Sequence, residues 1–173
     1  MDNQGTKEAH GVFDVWMHNK FSWDSFNEEK AVTIENVVIN NVKAEDGAAL
    51  KNDGSNVILK NVSINNTTSS AWGALRLIGG LQYSSPDGSW KEDTVIEANA
   101  VNPSSTIVRI SDGNHMKYAG NKAFTNCEKC TYSDMGGFAY LDGDAHLSFD
   151  IGQNASLVIG EEPKIPFLGR YTA

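Results

Sequence analysis

Residues 31–55 read AVTIENVVINNVKAEDGAALKNDGS, and residues 56–80 read NVILKNVSINNTTSSAWGALRLIGG. Laid over one another without a gap, the segments share nine identities in 25 positions. The pairs are Val32/Val57, Asn36/Asn61, Val37/Val62, Ile39/Ile64, Asn40/Asn65, Asn41/Asn66, Ala49/Ala74, Leu50/Leu75 and Gly54/Gly79. Thr33/Ile58 and Ile34/Leu59 also keep strand-forming or apolar character. A fixed period of roughly 20 to 50 residues marks stacked repeats. Helical repeats do not fit, because the recurring N-V-x-I-N-N is β-branched and alternating. Leucine-rich repeats do not fit either, since the Leu ladder is missing. A propeller blade needs about 40 residues. What remains is an all-β chain folded as a parallel β-helix, a solenoid whose coils stack about 4.8 Å apart.

The repeat assigns roles to its residues. Val37 and Ile39 are two apart and face the same side of a strand, with Val62 and Ile64 in the adjacent coil. Asn40–Asn41 and Asn65–Asn66 fall where the chain turns. Asn tolerates the left-handed region, bonds its own backbone, and can form ladders along a stack. Asn61, Asn65, Asn66 and Asn154 also match N-x-[ST], the glycosylation pattern. In a chain with 17 Asn such matches are expected, and they read as structural.

Outside the clear repeat the coils are less regular. Thr94–Val101 with Ser105–Ile110 reads as one coil, with Pro103 in its turn. Lys122–Cys127 with Gly136–Leu141 opens another. His146–Ile151 and Ala155–Ile159 make a last strand pair. At this spacing Lys30 to Gly160 holds roughly six coils. Insertions are expected to protrude at Leu81–Asp93 and at Ser111–Gly120. The aromatic cluster Phe13, Trp16, Phe21, Trp23 and Phe26 marks Gly11–Lys30 as an N-terminal cap with a short helix near Ser25–Lys30. Each end of such a stack exposes an edge that must be covered. The chain thus divides into a tail and cap over 1–30 and coils over 31–173.

Composition narrows the function classes. The 173 residues carry 14 Lys or Arg against 22 Asp or Glu, a net charge of −8. That balance argues against a nucleic-acid partner. No apolar run approaches the roughly 18 to 20 residues of a membrane-spanning helix, and Met1–His10 is polar throughout, unlike a signal peptide. With 40% hydrophobic residues and four Trp, the chain is not of disordered composition. Cys127 and Cys130 form a lone C-x-x-C. One such pair cannot make a four-Cys zinc site, and no βαβ context supports a thioredoxin-like motif. A short-range disulfide, which is favoured, and two free thiols remain. No metal site or cofactor is expected.

Three motifs in order carry a family resemblance. Phe124–Asn126, within A-F-T-N-C, stands where the family carries F-x-x-N. Gly136, Gly137 and Tyr140 supply G-G-x-x-Y, with Phe138 where Ala is usual. Leu147, Phe149, Asp150, Leu157, Ile159 and Gly160 supply L-x-F-D followed by L-x-I-G. Together they resemble the passenger domain of bacterial autotransporters, including the polymorphic outer-membrane protein type. The motifs cover about 40 residues, and the N-V-x-I-N-N coils extend the likeness to about two thirds of the chain. The resemblance implies a right-handed parallel β-helix secreted to the surface of a Gram-negative cell and linked to an outer-membrane barrel not present in this chain. Truncation after Ala173 and an added Met1 are then expected. Ile165–Tyr171 reads like the start of another strand. Closely spaced cysteines such as Cys127 and Cys130 are usual in that family.

The expected function is a non-catalytic adhesin or stalk that recognises a host-cell or matrix protein or glycan. Open coil ends would also favour head-to-tail self-association. The candidate binding surface is Trp72, Tyr83 and Trp90, because exposed aromatics stack on sugars and partner proteins. Trp72 aligns with Gly47, which places it at a turn. A serine hydrolase is disfavoured, because the chain has four His but no G-x-S-x-G. The alternative function is a carbohydrate-active enzyme, a polysaccharide lyase or glycosidase. It would use Asp142 and Asp144, with Asp112 and Arg109 on a neighbouring coil. Against it, Asp-Gly and Gly-Asp are common turn residues, and the acidic run lacks the closing Glu of a calcium loop.

Overall fold

The computed structural model describes residues 11–16, 26, 28–44, 47–70, 72–81, 101–102, 104–123 and 137–160. Among them the chain is all-β, with parallel strands in stacked sheets and a single 3-10 turn at Glu28–Lys30. This arrangement is compatible with a solenoid.

The first layer comprises β1 (Phe13–Trp16), β2 (Val32–Glu35), β3 (Val38–Asn40) and β4 (Lys43–Ala44). The second comprises β5 (Leu50–Asp53), β6 (Asn56–Lys60), β7 (Ser63–Asn65) and β8 (Thr68–Ser69). Next come β9 (Leu75–Ile78), the short pair β10 (Gly80–Leu81) and β11 (Val101–Asn102), then β12 (Ser104–Ile110) and β13 (His115–Ala119). The last layer is β14 (Ala139–Asp142), β15 (Ala145–Ile151) and β16 (Ser156–Ile159). Three four-stranded sheets run across the layers, in the orders β1-β5-β9-β14, β15-β12-β6-β2 and β16-β13-β7-β3, while β4 pairs with β8.

The 25-residue repeat is the stacking register itself. Val32 pairs with Val57, Val38 with Ser63, Lys43 with Thr68 and Leu50 with Leu75, each 25 residues apart. Alternation then sorts the side chains. Ile34, Ile39, Leu50, Val57, Leu59, Val62, Ile64, Leu75, Leu77, Val108 and Ile110 point inward and are buried in one continuous core. Val38, between inward positions, is 66% exposed. The alternation breaks at β6, where outward-pointing Asn56 and Ile58 are buried as well.

The Asn turns form as their residue type requires. Asn36, Asn41, Asn61 and Asn66 all have φ between 51 and 57°, the left-handed region that Asn tolerates. Asn side chains at and beside these turns bond between layers. Asn61 Nδ2 donates to Asn36 Oδ1 (3.4 Å) and to Ser111 Oγ (3.2 Å), and Asn61 Oδ1 accepts from Ser111 N (2.8 Å). Asn66 Nδ2 donates to Asn40 Oδ1 (3.0 Å), and Asn65 Oδ1 accepts from Ala119 N (3.2 Å). Asn154 also adopts positive φ (53°).

Several expectations need correction. Lys30 to Gly160 lies within four layers among the described residues, not roughly six coils. Insertions in the third layer account for the difference. Val57 pairs with Thr106, 49 residues later, 24 more than the repeat. Leu81 pairs with Val101 in the antiparallel β10–β11 stem, so the stretch expected to protrude as far as Asp93 is closed by a pair eight residues later, and 82–100 lie outside the described residues. Thr94–Val101 is therefore no coil strand where it is described. The second expected insertion is mostly β13, whose Tyr118 is buried, so only the turn at Ser111–Asn114 projects. Strands β15 and β16 do not pair with one another; they stack on β12 and β13 in separate sheets. Phe13–Trp16, assigned to the cap, pairs in parallel with β5 as the outermost strand of its sheet. Phe21, Trp23, Cys127, Cys130 and 161–173 lie outside the described residues.

Tyr118 carries a testable cost. Its ring packs against Phe138 (centroids 5.3 Å apart), but its hydroxyl has no hydrogen-bond partner among the described residues. Burial pushes the phenol well above its usual value. The folded state thus favours the protonated form, so stability is intact below the ordinary tyrosine value of about 10 and falls as pH rises beyond it. Tyr118→Phe is expected to hold or raise stability by up to about 1 kcal/mol at neutral pH and to flatten the alkaline decline. Urea melts at neutral and alkaline pH would measure both.

Candidate functional site

The outer face of the β1-β5-β9-β14 sheet carries the most distinctive side chains. Leu75 and Leu77 point inward, so Arg76 between them points out, and its register partners are Lys51 and Tyr140. Trp72 sits in the turn before β9, as its alignment with Gly47 requires, and lies outside the core. Its ring is 4.3 Å from that of Tyr140 at 40°, and the Arg76 guanidinium carbon is 5.1 Å from its centroid. Trp72, Arg76 and Tyr140 are each only partly buried. The cluster is an aromatic and cationic platform, with cation–π attraction holding Arg76 over the indole. The sequence reading placed neither Arg76 nor Tyr140, noted there only within a motif, on the binding surface; the pairing of β9 with β14 is what brings Tyr140 to Trp72. Tyr83 and Trp90 lie outside the described residues.

A second row crosses the outer face of the β15-β12-β6-β2 sheet. Glu35, Lys60, Arg109 and Asp150 are successive register partners. Lys60 pairs with Glu35 at 2.8 Å. Arg109 pairs with Asp150 through Nε at 2.8 Å and with Glu28 of the 3-10 turn through Nη1 at 2.7 Å. The hydrogen bond from Arg109, then its charge, holds the Glu28 carboxyl below its usual value. The contact should therefore persist above the ordinary carboxylate range and be lost as pH falls through the lowered value. An NMR titration of Glu28 in wild type and in Arg109→Gln should show the depression only in the wild type.

The four residues of the enzyme reading do not meet. Asp142 ends β14, and its Oδ1 accepts from Gly143 N at 2.8 Å. Asp144 Oδ1 contacts His146 Nε2 at 2.8 Å. Both lie at the corner before β15. Ala145 pairs with Ser104, so Arg109 stands five residues farther along the sheet, about 16 Å away at strand rise. Asp112 lies beyond it in the next turn, where its Oδ1 accepts from Gln153 N at 2.8 Å. Gly143 explains the D-G-D sequence. Its φ is 60°, and a Cβ there would run into the Gly79 carbonyl oxygen. The corner is clamped on Gly79, whose N donates to Asp142 O (2.9 Å) and whose O accepts from Asp144 N (3.1 Å).

Among the described residues no group of three or more His, Cys, Asp or Glu is placed to hold a metal ion, and no helix is long and apolar enough to cross a membrane. No family model matches the chain, and neither the curated proteins nor the solved structures contain a match.

Proposed function

We propose that the chain is a right-handed parallel β-helix with an N-terminal cap, of the autotransporter-passenger kind. It acts at a bacterial cell surface as a non-catalytic adhesive or structural module. Right-handedness follows the general rule for parallel crossovers. The observation that carries the adhesive reading is the outward cluster of Trp72, Arg76 and Tyr140. Aromatic faces beside a guanidinium, with Lys51 one layer away, suit a host-cell or matrix protein or a glycan bearing carboxylate or sulfate groups.

The test is binding of the purified chain to immobilised acidic glycans and matrix proteins. Trp72→Ala and Arg76→Ala should each weaken binding about tenfold or more while the circular dichroism spectrum holds. Binding unchanged in both variants would remove the platform from the proposal. The enzyme alternative is tested in parallel by digestion of acidic polysaccharides. Asp142→Ala and Asp144→Ala should change neither product release nor stability by more than about 1 kcal/mol. Sugar release by the wild type that either variant abolishes would reverse the reading.

A further inference from the structure

The 3-10 turn at Glu28–Lys30 reaches across layers. It leads straight into β2 of the first layer, through Ala31 to Val32. Yet Glu28 Oε1 accepts from Arg109 Nη1 at 2.7 Å, and Arg109 belongs to β12 of the third layer. The register fixes what lies between. Ala31 stands one residue before Val32, the partner of Val57, so it is abreast of Asn56. Arg109 pairs with Lys60, four residues beyond Asn56. From Ala31 to Arg109 is thus about 13 Å along the strands and about 10 Å across two layers. Ile58, in the middle row of the middle layer, stands at the midpoint of that diagonal. A hydrogen bond from Ala31 N to Glu28 O (3.2 Å) keeps Glu28 within one turn of Ala31.

Exposure follows the same diagonal. Ile58 lies between inward Val57 and Leu59 and so points out, but it is only 2% exposed. Its row partners in the first and last layers, Thr33 and Ser148, are exposed, and Ile107 in the third is half-buried.

We propose that the turn Glu28–Ala31 is a strap, folded back over the outer face of the β15-β12-β6-β2 sheet to cover Ile58, clasped by Glu28 on Arg109, and able to open while the layers stay intact. Its hold is slight compared with what lies beneath. Glu28, Glu29 and Lys30 are all exposed, and the turn buries no residue of its own. Glu28 meets Arg109 at the surface, where an ion pair is worth little and salt screens it. By contrast β6 is bonded along both edges, to β2 and to β12. Asn56, on the same face as Ile58, is 2% exposed, and among the described residues neither its Nδ2 nor its Oδ1 has a hydrogen-bond partner. Opening lets water reach that amide and removes the penalty of burying it unpaired. An element with few buried contacts over a well-bonded core opens locally at far lower free energy than the whole fold. Once open, it bares Ile58 beside Ile107, an apolar strip that the closed strap conceals.

The inference is independent of the adhesin reading, whose cluster lies on another sheet. The experiment uses the 173-residue chain with Cys127→Ser and Cys130→Ser. Ile58→Cys and Thr33→Cys, which share a row, are labelled with a thiol reagent at neutral pH. Thr33→Cys should react as an exposed thiol, and Ile58→Cys at least about tenfold more slowly. Glu28→Gln and Arg109→Gln should each speed labelling of Ile58→Cys about threefold or more, and so should ~1 M NaCl. Hydrogen exchange on the same two Gln variants, without the added cysteines, separates local from global opening. The Ala31 amide should exchange faster, with the amides of β6 and β12 unchanged. Equal labelling of Ile58→Cys and Thr33→Cys overturns the proposal. Labelling of Ile58→Cys that ignores both Gln variants also overturns it, because another part of the chain is then the cover. So does acceleration shared by the β6 and β12 amides, because the sheet rather than the strap is then what opens.

Discussion

Leu75→Asp is expected to abolish folding, and Leu75→Ala to cost about 2 to 5 kcal/mol. Leu75 is fully buried, with Leu50 and Ala139 as its register partners in the layers on either side. Truncation to Ala opens a cavity in mid-column, where the flanking layers are fixed by backbone ladders and collapse little. Asp adds an unpaired buried charge, whose penalty is several kcal/mol more. Against a total stability of roughly 5 to 15 kcal/mol, the two terms together exhaust the margin. Equilibrium urea unfolding of Leu75→Ala, and the far-UV spectrum of Leu75→Asp, measure the two effects. A Leu75→Asp protein that melts cooperatively near the wild type would mean that this column is not the core.

Gly143→Ala should destabilise by about 2 to 4 kcal/mol, combining left-handed backbone strain with a clash. The control is Gly113→Ala. Gly113 also has positive φ (71°), but a Cβ there meets nothing within 4 Å. It should cost only the strain, about 1 kcal/mol. The difference between the two variants isolates the close approach of the β14–β15 corner to the Gly79 carbonyl. Equal losses in thermal melts would show that the corner is not tightly seated. The pair also bears on the acids, because it identifies why Gly stands between Asp142 and Asp144 without appeal to chemistry.

The all-β architecture was legible because Val, Ile and Asn recur at positions whose chemistry demands recurrence. Ile39 and Ile64 must fill one column, and Asn41 and Asn66 must both turn through positive φ. Such constraints leave identities behind. The layer count was not legible, because a segment such as Ser111–Gly120 carries Gly, Asn and Asp at its start and hides a strand in its second half. Lys117 and Tyr118 show the difficulty: the outward residue is charged and the inward one is aromatic, so no β-branched pattern announces them. The outer-face cluster was half visible. Trp72 stood out by type and by its alignment with Gly47, whereas Tyr140 reaches it only through pairing 64 residues away, between Arg76 and Tyr140. No local pattern encodes that distance. Asp142 and Asp144 misled in the opposite direction, because two acids flanking a glycine are as much a turn as a catalytic pair.

The antiparallel stem of Gly80–Leu81 with Val101–Asn102 bears on how such a chain can change over generations. It returns the polypeptide to the place it left, so β12 meets β6 in the phase the layer below dictates, whatever the 19 intervening residues are. Length and identity within that segment are thereby uncoupled from the columns that hold the layers together. Random peptide libraries spliced between Leu81 and Val101 should be tolerated without loss of expression, while single-residue deletions between Asn56 and Gly79 should not. The stem thus sets a stretch where variation is cheap beside one where a shift of a single residue turns the interior outward.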